Sequence, residues 1–173
     1  DCISDKMQSC EGGKIVYIKD GLIAKRLEDY ETATAETICL ELNISNKKWF
    51  IVYAYRPESI NRNLFFSEIN TLLSKATNEY ENIVISGDLN INLDIPSSDI
   101  KDHLTNICVN FNLTNLVNKK TCTKTYDGTS IDVIMTTRPL CFHNTSVIET
   151  SLSDHHKLIM TFLKSRFRRL PLF

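Results

Sequence analysis

The residues best suited to chemistry are Asp88 and Asn90, which follow a short apolar run and a glycine. The run, residues 82–86, is rich in β-branched side chains and predicts a strand that is buried on both faces. Gly87 lets the backbone turn as the strand emerges, because it has no Cβ. If the chain stays extended, Asp88 and Asn90 point to the same side of a sheet edge, where α/β proteins bind ligands. A strand that ends in an Asx turn is the alternative, and this stretch alone favours neither interpretation.

Two more polar clusters stand at predicted strand ends. Asp132 interrupts an apolar strand over residues 131–136. A charge in such a strand is costly unless it is paired, so Asp132 needs a partner such as a histidine or a metal ion. An edge aspartate that faces water is the alternative. The Asp154-His155 pair precedes the last predicted strand. Taken alone, that dipeptide fits a capping or turn role better than catalysis.

The elements that must position these residues follow from hydrophobic periodicity. Two amphipathic helices are predicted from apolar residues at helical spacing: Phe65, Ile69, Leu72, Leu73 and Ala76, then Ile100, Leu104, Ile107, Cys108 and Phe111. Strands are predicted at residues 15–18, 37–42, 49–55, 82–86, 113–117, 131–136, 142–150 and 158–163. The run over 37–42 alternates and predicts a half-buried strand, and a polar turn is expected at 46–48. This order fits two packed sheets with helices outside.

Composition limits the class of protein. With 173 residues, 42% of them hydrophobic and 24% charged, the chain is long enough for one soluble globular domain. It has no apolar run of about 20 residues and no signal-peptide pattern, which predicts an intracellular protein of the nucleus or cytoplasm, neither secreted nor membrane-bound. The six cysteines form no C-x-x-C pair, which argues against a zinc site or a disulfide framework. The net charge of −1 leaves the partner open.

Together the motifs resemble the endonuclease/exonuclease/phosphatase superfamily, which has the DNase I-like fold. They are most similar to the apurinic-type endonuclease domain of non-LTR (LINE-type) retrotransposon polyproteins. The matching features, in order, are Gly12-Gly13 before a strand, Tyr55-Arg56-Pro57, Gly87-Asp88-Leu89-Asn90, Ser130-Ile131-Asp132-Val133-Ile134 and Ser153-Asp154-His155-His156. Tyr55-Arg56-Pro57 and the glycine pair indicate the retroelement branch.

The resemblance implies an α+β fold, a four-layer α/β/β/α sandwich of two packed, mostly antiparallel sheets. The domain would span residues 1–163, and residues 164–173 would form a basic tail or linker. Relatives begin with strands that carry an early asparagine and a metal-binding glutamate. This chain starts downstream of both, so we expect the first strands to be missing. The glutamates near its start do not stand in the family's motif context: Glu11, Glu28, Glu31 and Glu36.

The resemblance also assigns roles to site residues. His155 would act on the scissile phosphate, and Asp132 would orient and charge its ring, since a bonded carboxylate fixes the tautomer of an imidazole. Asp88 would orient or deprotonate the attacking water. Asn90 and Tyr55 would contact the phosphate, and Asp154 would hold a divalent metal, Mg²⁺ or alternatively Mn²⁺. His156 would be a neighbour without a role. Glu58, where many relatives have a neutral residue, would repel DNA if it faces the groove.

These roles predict a divalent-metal-dependent endonuclease domain that nicks target DNA. In intact relatives the nick primes reverse transcription by the reverse transcriptase domain of the same polyprotein. We expect truncation to impair this activity. The alternatives are a phosphodiesterase or phosphatase that acts on a small or lipid phosphate, and a decayed, non-catalytic domain. The sequence assigns neither a target site nor an oligomeric state.

Overall fold

Alternating and continuous apolar runs build most of the strands of this protein. The computed structural model describes residues 2–5, 14–95, 99–123, 126–150 and 157–164. Within them the strands are β1 (Cys2–Asp5), β2 (Lys14–Tyr17), β3 (Ile23–Arg26), β4 (Glu36–Ile44), β5 (Lys47–Tyr55), β6 (Asn82–Asp88), β7 (Thr114–Asn115), β8 (Asp132–Thr136), β9 (Phe142–Glu149) and β10 (Lys157–Leu163). The α-helices are α1 (Arg62–Ala76) and α2 (Asp99–Asn110), and short 3-10 helices span Glu28–Tyr30 and Pro139–Cys141.

A six-stranded sheet in the order β3-β4-β5-β6-β8-β7 forms the centre of the fold. Its neighbouring strands are antiparallel except β5 and β6, which run parallel. Parallel neighbours need a crossover connection, and α1 lies in the connection between these two strands. The carboxyl ends of β5 and β6 therefore lie at the same edge of the sheet.

Both faces of this sheet are covered, which makes the protein a layered sandwich. One face packs against α1 and α2 through a core that includes Phe50, Val52, Ile85 and Val133 of the strands and Phe65, Ile69, Leu73 and Leu104 of the helices. The other face packs against β2, which pairs with β1, and against the antiparallel pair β9–β10. There, Trp49 and Phe142 meet edge to face with ring centroids 5.7 Å apart. The predicted fold class, two packed and mostly antiparallel sheets with helices outside, is confirmed.

The predicted elements agree with the structure except at a few points. The strand at 37–42 is β4, but Ile38, Cys39 and Leu40 are all buried, because its two faces meet different layers. The turn expected at 46–48 is a two-residue hairpin turn at Ser45 and Asn46, with φ of 52° and 61°. A two-residue turn of this kind matches the twist of β4 and β5, which it joins. The two lysines that follow were predicted in the turn, but they pair with β4 and so belong to β5.

Three further differences concern short or weakly patterned segments. β7 has two residues, because the side chain of Asn115 accepts a hydrogen bond from the Val117 amide and ends the strand. β1 and β3 have no clear sequence pattern. Residues 96–98, which precede α2, lie outside the described residues, as does the basic tail beyond Lys164. No helix in the described ranges is long and apolar enough to cross a membrane.

Gly87 is the point at which β5 and β6 approach too closely for any side chain. Its φ is +143°, and a Cβ built on it would lie 1.9 Å from the carbonyl oxygen of Ala54. The predicted need for glycine here is therefore confirmed. The physical reason is the contact with β5 as well as the backbone turn. Gly87 fixes where β6 ends relative to β5, and hence where Asp88 emerges.

We expect Gly87→Ala to destabilise the fold by about 3 kcal/mol or more, because the methyl group collides with backbone. The measurement is urea unfolding, with Gly21→Ala as the control. Gly21 also has a positive φ, +87°, but a Cβ added there would meet no atom within 4 Å. The control should lose only the roughly 1–2 kcal/mol that a left-handed backbone costs an L residue. Equal losses in both variants would contradict the steric argument.

Candidate active site

Two aspartates face each other where β6 ends and β8 begins. Asp88 and Asp132 are direct partners in the antiparallel β6–β8 ladder. The Leu89 amide donates to the Ile131 carbonyl at 3.1 Å, which makes the aspartates a non-hydrogen-bonded pair. Side chains are closest in such pairs, whose Cα atoms lie about 4.5 Å apart. Both carboxylates lie on the face toward β2, β9 and β10, because they alternate in step with Val84 and Ile134 of that face.

Opposed like charges destabilise a sheet unless a cation or a proton donor stands between them. Asp132 is partly buried and its Oδ2 is shielded from solvent, so it is not an edge side chain that simply faces water. The buried Thr121 fixes its backbone, since the Thr121 hydroxyl accepts from the amides of Ile131 and Asp132 at 3.2 Å each. The structure therefore holds two acidic groups together at a fixed position.

The chain turns sharply after Asp88 and does not stay extended. Asn90 has a φ of +47°, and its amide donates to Oδ1 of Asp88 at 2.8 Å. This is an Asx turn, the alternative that the sequence left open, and the prediction that both side chains follow strand alternation is wrong. The side-chain Nδ2 of Asn90 donates to the Arg56 carbonyl at 3.0 Å. The turn arises because a short polar side chain can satisfy the backbone locally.

Arg56 connects this turn to the end of β5, a role that no sequence pattern indicates. The residue is 1% exposed, and its guanidinium donates to the carbonyls of Leu89 and Asn90 at 2.7 Å each. It also donates to the carbonyls of Pro57 and Ile60, while its own amide donates to the Asp88 carbonyl. Burial lowers the pKa of the guanidinium, the proximity of Arg62 lowers it further, and the residue remains charged at neutral pH.

A cavity of about 400 Å³ opens beside these residues, between the central sheet and β2. Tyr55 and Asp88 line it, so the structure brings together two of the predicted site residues there. Ser86 and Tyr53 line it too, and burial raises the pKa of Tyr53. Glu58 is exposed on the turn after Pro57.

Glu36 also lines the cavity, although its sequence context did not suggest a site residue. Its carboxylate pairs with Lys14 of β2 at 3.2 Å. The other described glutamates near the start of the chain lie elsewhere: Glu28 and Glu31 both pair with Arg26. Only the pairing of β4 with β5, which sets Glu36 opposite Tyr55, could have indicated this position.

Two predicted site residues, Asp154 and His155, lie outside the described ranges, and their roles stay predictions. His156 and Glu11, to which the sequence assigned no role, also lie outside those ranges. Within the described ranges, no three His, Cys, Asp or Glu side chains form a group that could hold a metal ion. Asp88 and Asp132 nonetheless present carboxylate oxygens, the donor type that Mg²⁺ and Mn²⁺ prefer.

Comparison with known proteins identifies a family model that matches most of the chain. Residues 49–159 match the family model described as endonuclease-reverse transcriptase. No curated protein sequence matches the chain.

Solved structures share the fold at low sequence identity. The endonuclease domain of TRAS1, a telomere-specific non-LTR retrotransposon, has a TM-score of 0.77 at 13% identity, over 96% of this chain and 81% of that one. The 3′ phosphatase NExo from Neisseria, bound to product DNA hairpin, has a TM-score of 0.65 at 11% identity, over 95% of this chain and 79% of that one. An endonuclease/exonuclease/phosphatase family protein from Leptotrichia buccalis has a TM-score of 0.61 at 15% identity, over 96% of this chain and 70% of that one.

The described contacts predict that Arg56→Lys destabilises the protein by about 2 kcal/mol or more, because an ammonium cannot replace the planar set of donors. Arg62→Lys is the matched control, since Arg62 is exposed at the start of α1 and should change stability by less than about 0.5 kcal/mol. Urea unfolding of both variants measures the difference. A loss at Arg56 no larger than that at Arg62 would mean that the buried guanidinium does not hold the turn.

Proposed function

This chain belongs to the endonuclease–reverse transcriptase family of the endonuclease/exonuclease/phosphatase superfamily, and we propose that it is a metal-dependent endonuclease domain that nicks DNA. The observation that carries the proposal is the fixed pair of carboxylates, Asp88 and Asp132, at the sheet edge beside the cavity that Tyr55 lines. Acidic groups held together next to a cavity suit the activation of water against a phosphodiester.

In the proposed reaction, a water molecule attacks the phosphorus, the bond to the 3′ oxygen breaks, and the leaving 3′ oxygen takes a proton from solvent. Asp88 takes the proton from the attacking water, and its turn with Asn90 keeps the carboxylate in place. Asp132 orients His155, which acts on the scissile phosphate, while Tyr55 and the Asn90 side chain contact phosphate oxygens. The products are a 5′-phosphate and a 3′-hydroxyl.

A divalent cation, Mg²⁺ or Mn²⁺, is part of the proposal. When bound, such an ion stabilises negative charge that builds on the phosphate oxygens. Asp154 would hold it, and the Asp88–Asp132 pair would offer further carboxylate oxygens. The donor set fits a hard cation, since every proposed ligand is an oxygen.

DNA as the substrate and a retroelement as the source are supported by the family match and by the two DNA-related neighbours. In this proposal the nick provides the primer for a reverse transcriptase domain of the same polyprotein. The second candidate is a phosphatase or phosphodiesterase for a small phosphate, which the cavity of about 400 Å³ could accommodate.

Relaxation of supercoiled plasmid in Mg²⁺ or Mn²⁺ tests the proposal. We expect nicking that EDTA abolishes and that Asp88→Asn lowers at least about 100-fold, the usual effect of losing a general base. Asp102→Asn is the matched control, because Asp102 is exposed on α2 away from the cavity. The low activity predicted from the sequence is measured in the same assay.

Equal nicking by the wild type and Asp88→Asn would contradict the assignment of Asp88. Hydrolysis of inositol phosphates without nicking of DNA would favour the small-phosphate candidate. No turnover of either substrate, with no effect of Mg²⁺ on the melting temperature, would favour a non-catalytic domain.

A further inference from the structure

An ion pair lies inside the cavity beside the candidate site. Lys14 Nζ and Glu36 Oε2 are 3.2 Å apart, and each side chain is only 18% exposed. Lys14 is the first residue of β2 and Glu36 the first of β4, so the pair joins the second layer to the central sheet. Both residues line the same cavity as Tyr55 and Asp88.

The position of this pair is unusual for one that only stabilises the fold. Ion pairs at the surface contribute little, and partly buried pairs lose much of their attraction to desolvation. A pair that serves stability alone gains nothing from lying beside catalytic carboxylates. Here Lys14 lines the cavity that the reacting phosphate would enter.

The negative charge at this sheet edge gives the Lys14 ammonium a function. Glu36 and Asp88 line the cavity, and Asp132 lies opposite Asp88 in the sheet, so these carboxylates would repel an anionic phosphodiester. Lys14 is the basic residue among those that line the cavity. A lysine ammonium is a compact cation that binds phosphate as a point charge.

We propose that Lys14 binds a non-bridging oxygen of the substrate phosphate and that Glu36 positions its ammonium. The inference rests on the proposed phosphodiesterase function and adds a substrate-binding residue to it. No bond is made or broken by either residue. Lys14 contributes attraction to the phosphate, and Glu36 restricts where the ammonium lies.

The competing explanation is that the pair only fastens β2 to β4. It predicts that Lys14→Gln and Glu36→Gln have equal effects, since either change breaks the same contact. It also predicts that the double variant recovers function together with stability, because two amides can hydrogen-bond without charge. The phosphate-binding role predicts that the double variant regains stability but still binds DNA weakly.

The experiment measures the melting temperature and the affinity for a fluorescein-labelled DNA duplex in EDTA over a series of salt concentrations. Wild type, both single variants and the double variant are compared, with Lys19→Gln as the control because Lys19 is an exposed lysine. We expect Lys14→Gln to weaken binding about tenfold. It should also reduce the slope of log affinity against log salt by about 0.9. Glu36→Gln should weaken binding less, and the double variant should melt like the wild type but bind like Lys14→Gln.

Unchanged affinity and salt slope in Lys14→Gln would overturn the inference, as would recovery of affinity in the double variant or no measurable binding by the wild type. The nicking assay separates this from failure of the proposed function. A chain that binds DNA through Lys14 but never nicks contradicts the endonuclease proposal and supports the phosphate contact. If the protein nicks DNA but its affinity for DNA does not depend on Lys14, only the phosphate contact is contradicted.

Discussion

The buried guanidinium of Arg56 stabilises the geometry of the candidate site. Arg56 emerges from β5 and donates to the carbonyls of Leu89 and Asn90, which follow β6. Carbonyl groups at the ends of two parallel strands would otherwise lack partners away from water, and leaving them so is costly. Because one planar cation satisfies several of them, the ends of β5 and β6 cannot shift independently. This restraint acts on the turn after Asp88, while the β6–β8 ladder holds Asp88 opposite Asp132.

The geometry explains how one sheet edge concentrates negative charge without losing its structure. Backbone contacts fix the two aspartates: the ladder holds Asp88 opposite Asp132, and Thr121 restrains the start of β8. Cations from the chain itself stand nearby, Arg56 behind the turn and Lys14 within the cavity. The charges at this edge are therefore ordered in advance, as the proposed divalent cation and anionic substrate would require.

Sequence patterns predicted the parts of this structure that depend on local periodicity. The helix around Phe65, Ile69 and Leu73 and the strand before Gly87 follow from spacing and residue type, and both form as expected. What the patterns could not predict depends on contacts between distant segments. Arg56 looks like a surface residue until β6 is placed beside β5, where its guanidinium donates to the Asn90 carbonyl and its own carbonyl accepts from the Asn90 side chain. Glu36 joins the site only through the pairing of β4 with β5.

The most direct test of the central claim, that the edge carrying Asp88 and Asp132 cleaves phosphodiesters, is the chemistry of the DNA ends. Plasmid incubated with the protein in Mg²⁺ is given to a DNA polymerase with labelled nucleotides and no phosphatase treatment. We predict that the nicks are extended, since water attack with loss of the 3′ oxygen leaves a 3′-hydroxyl. Nicks that need a phosphatase before extension, or nicks made equally by Asp88→Asn, would contradict this account.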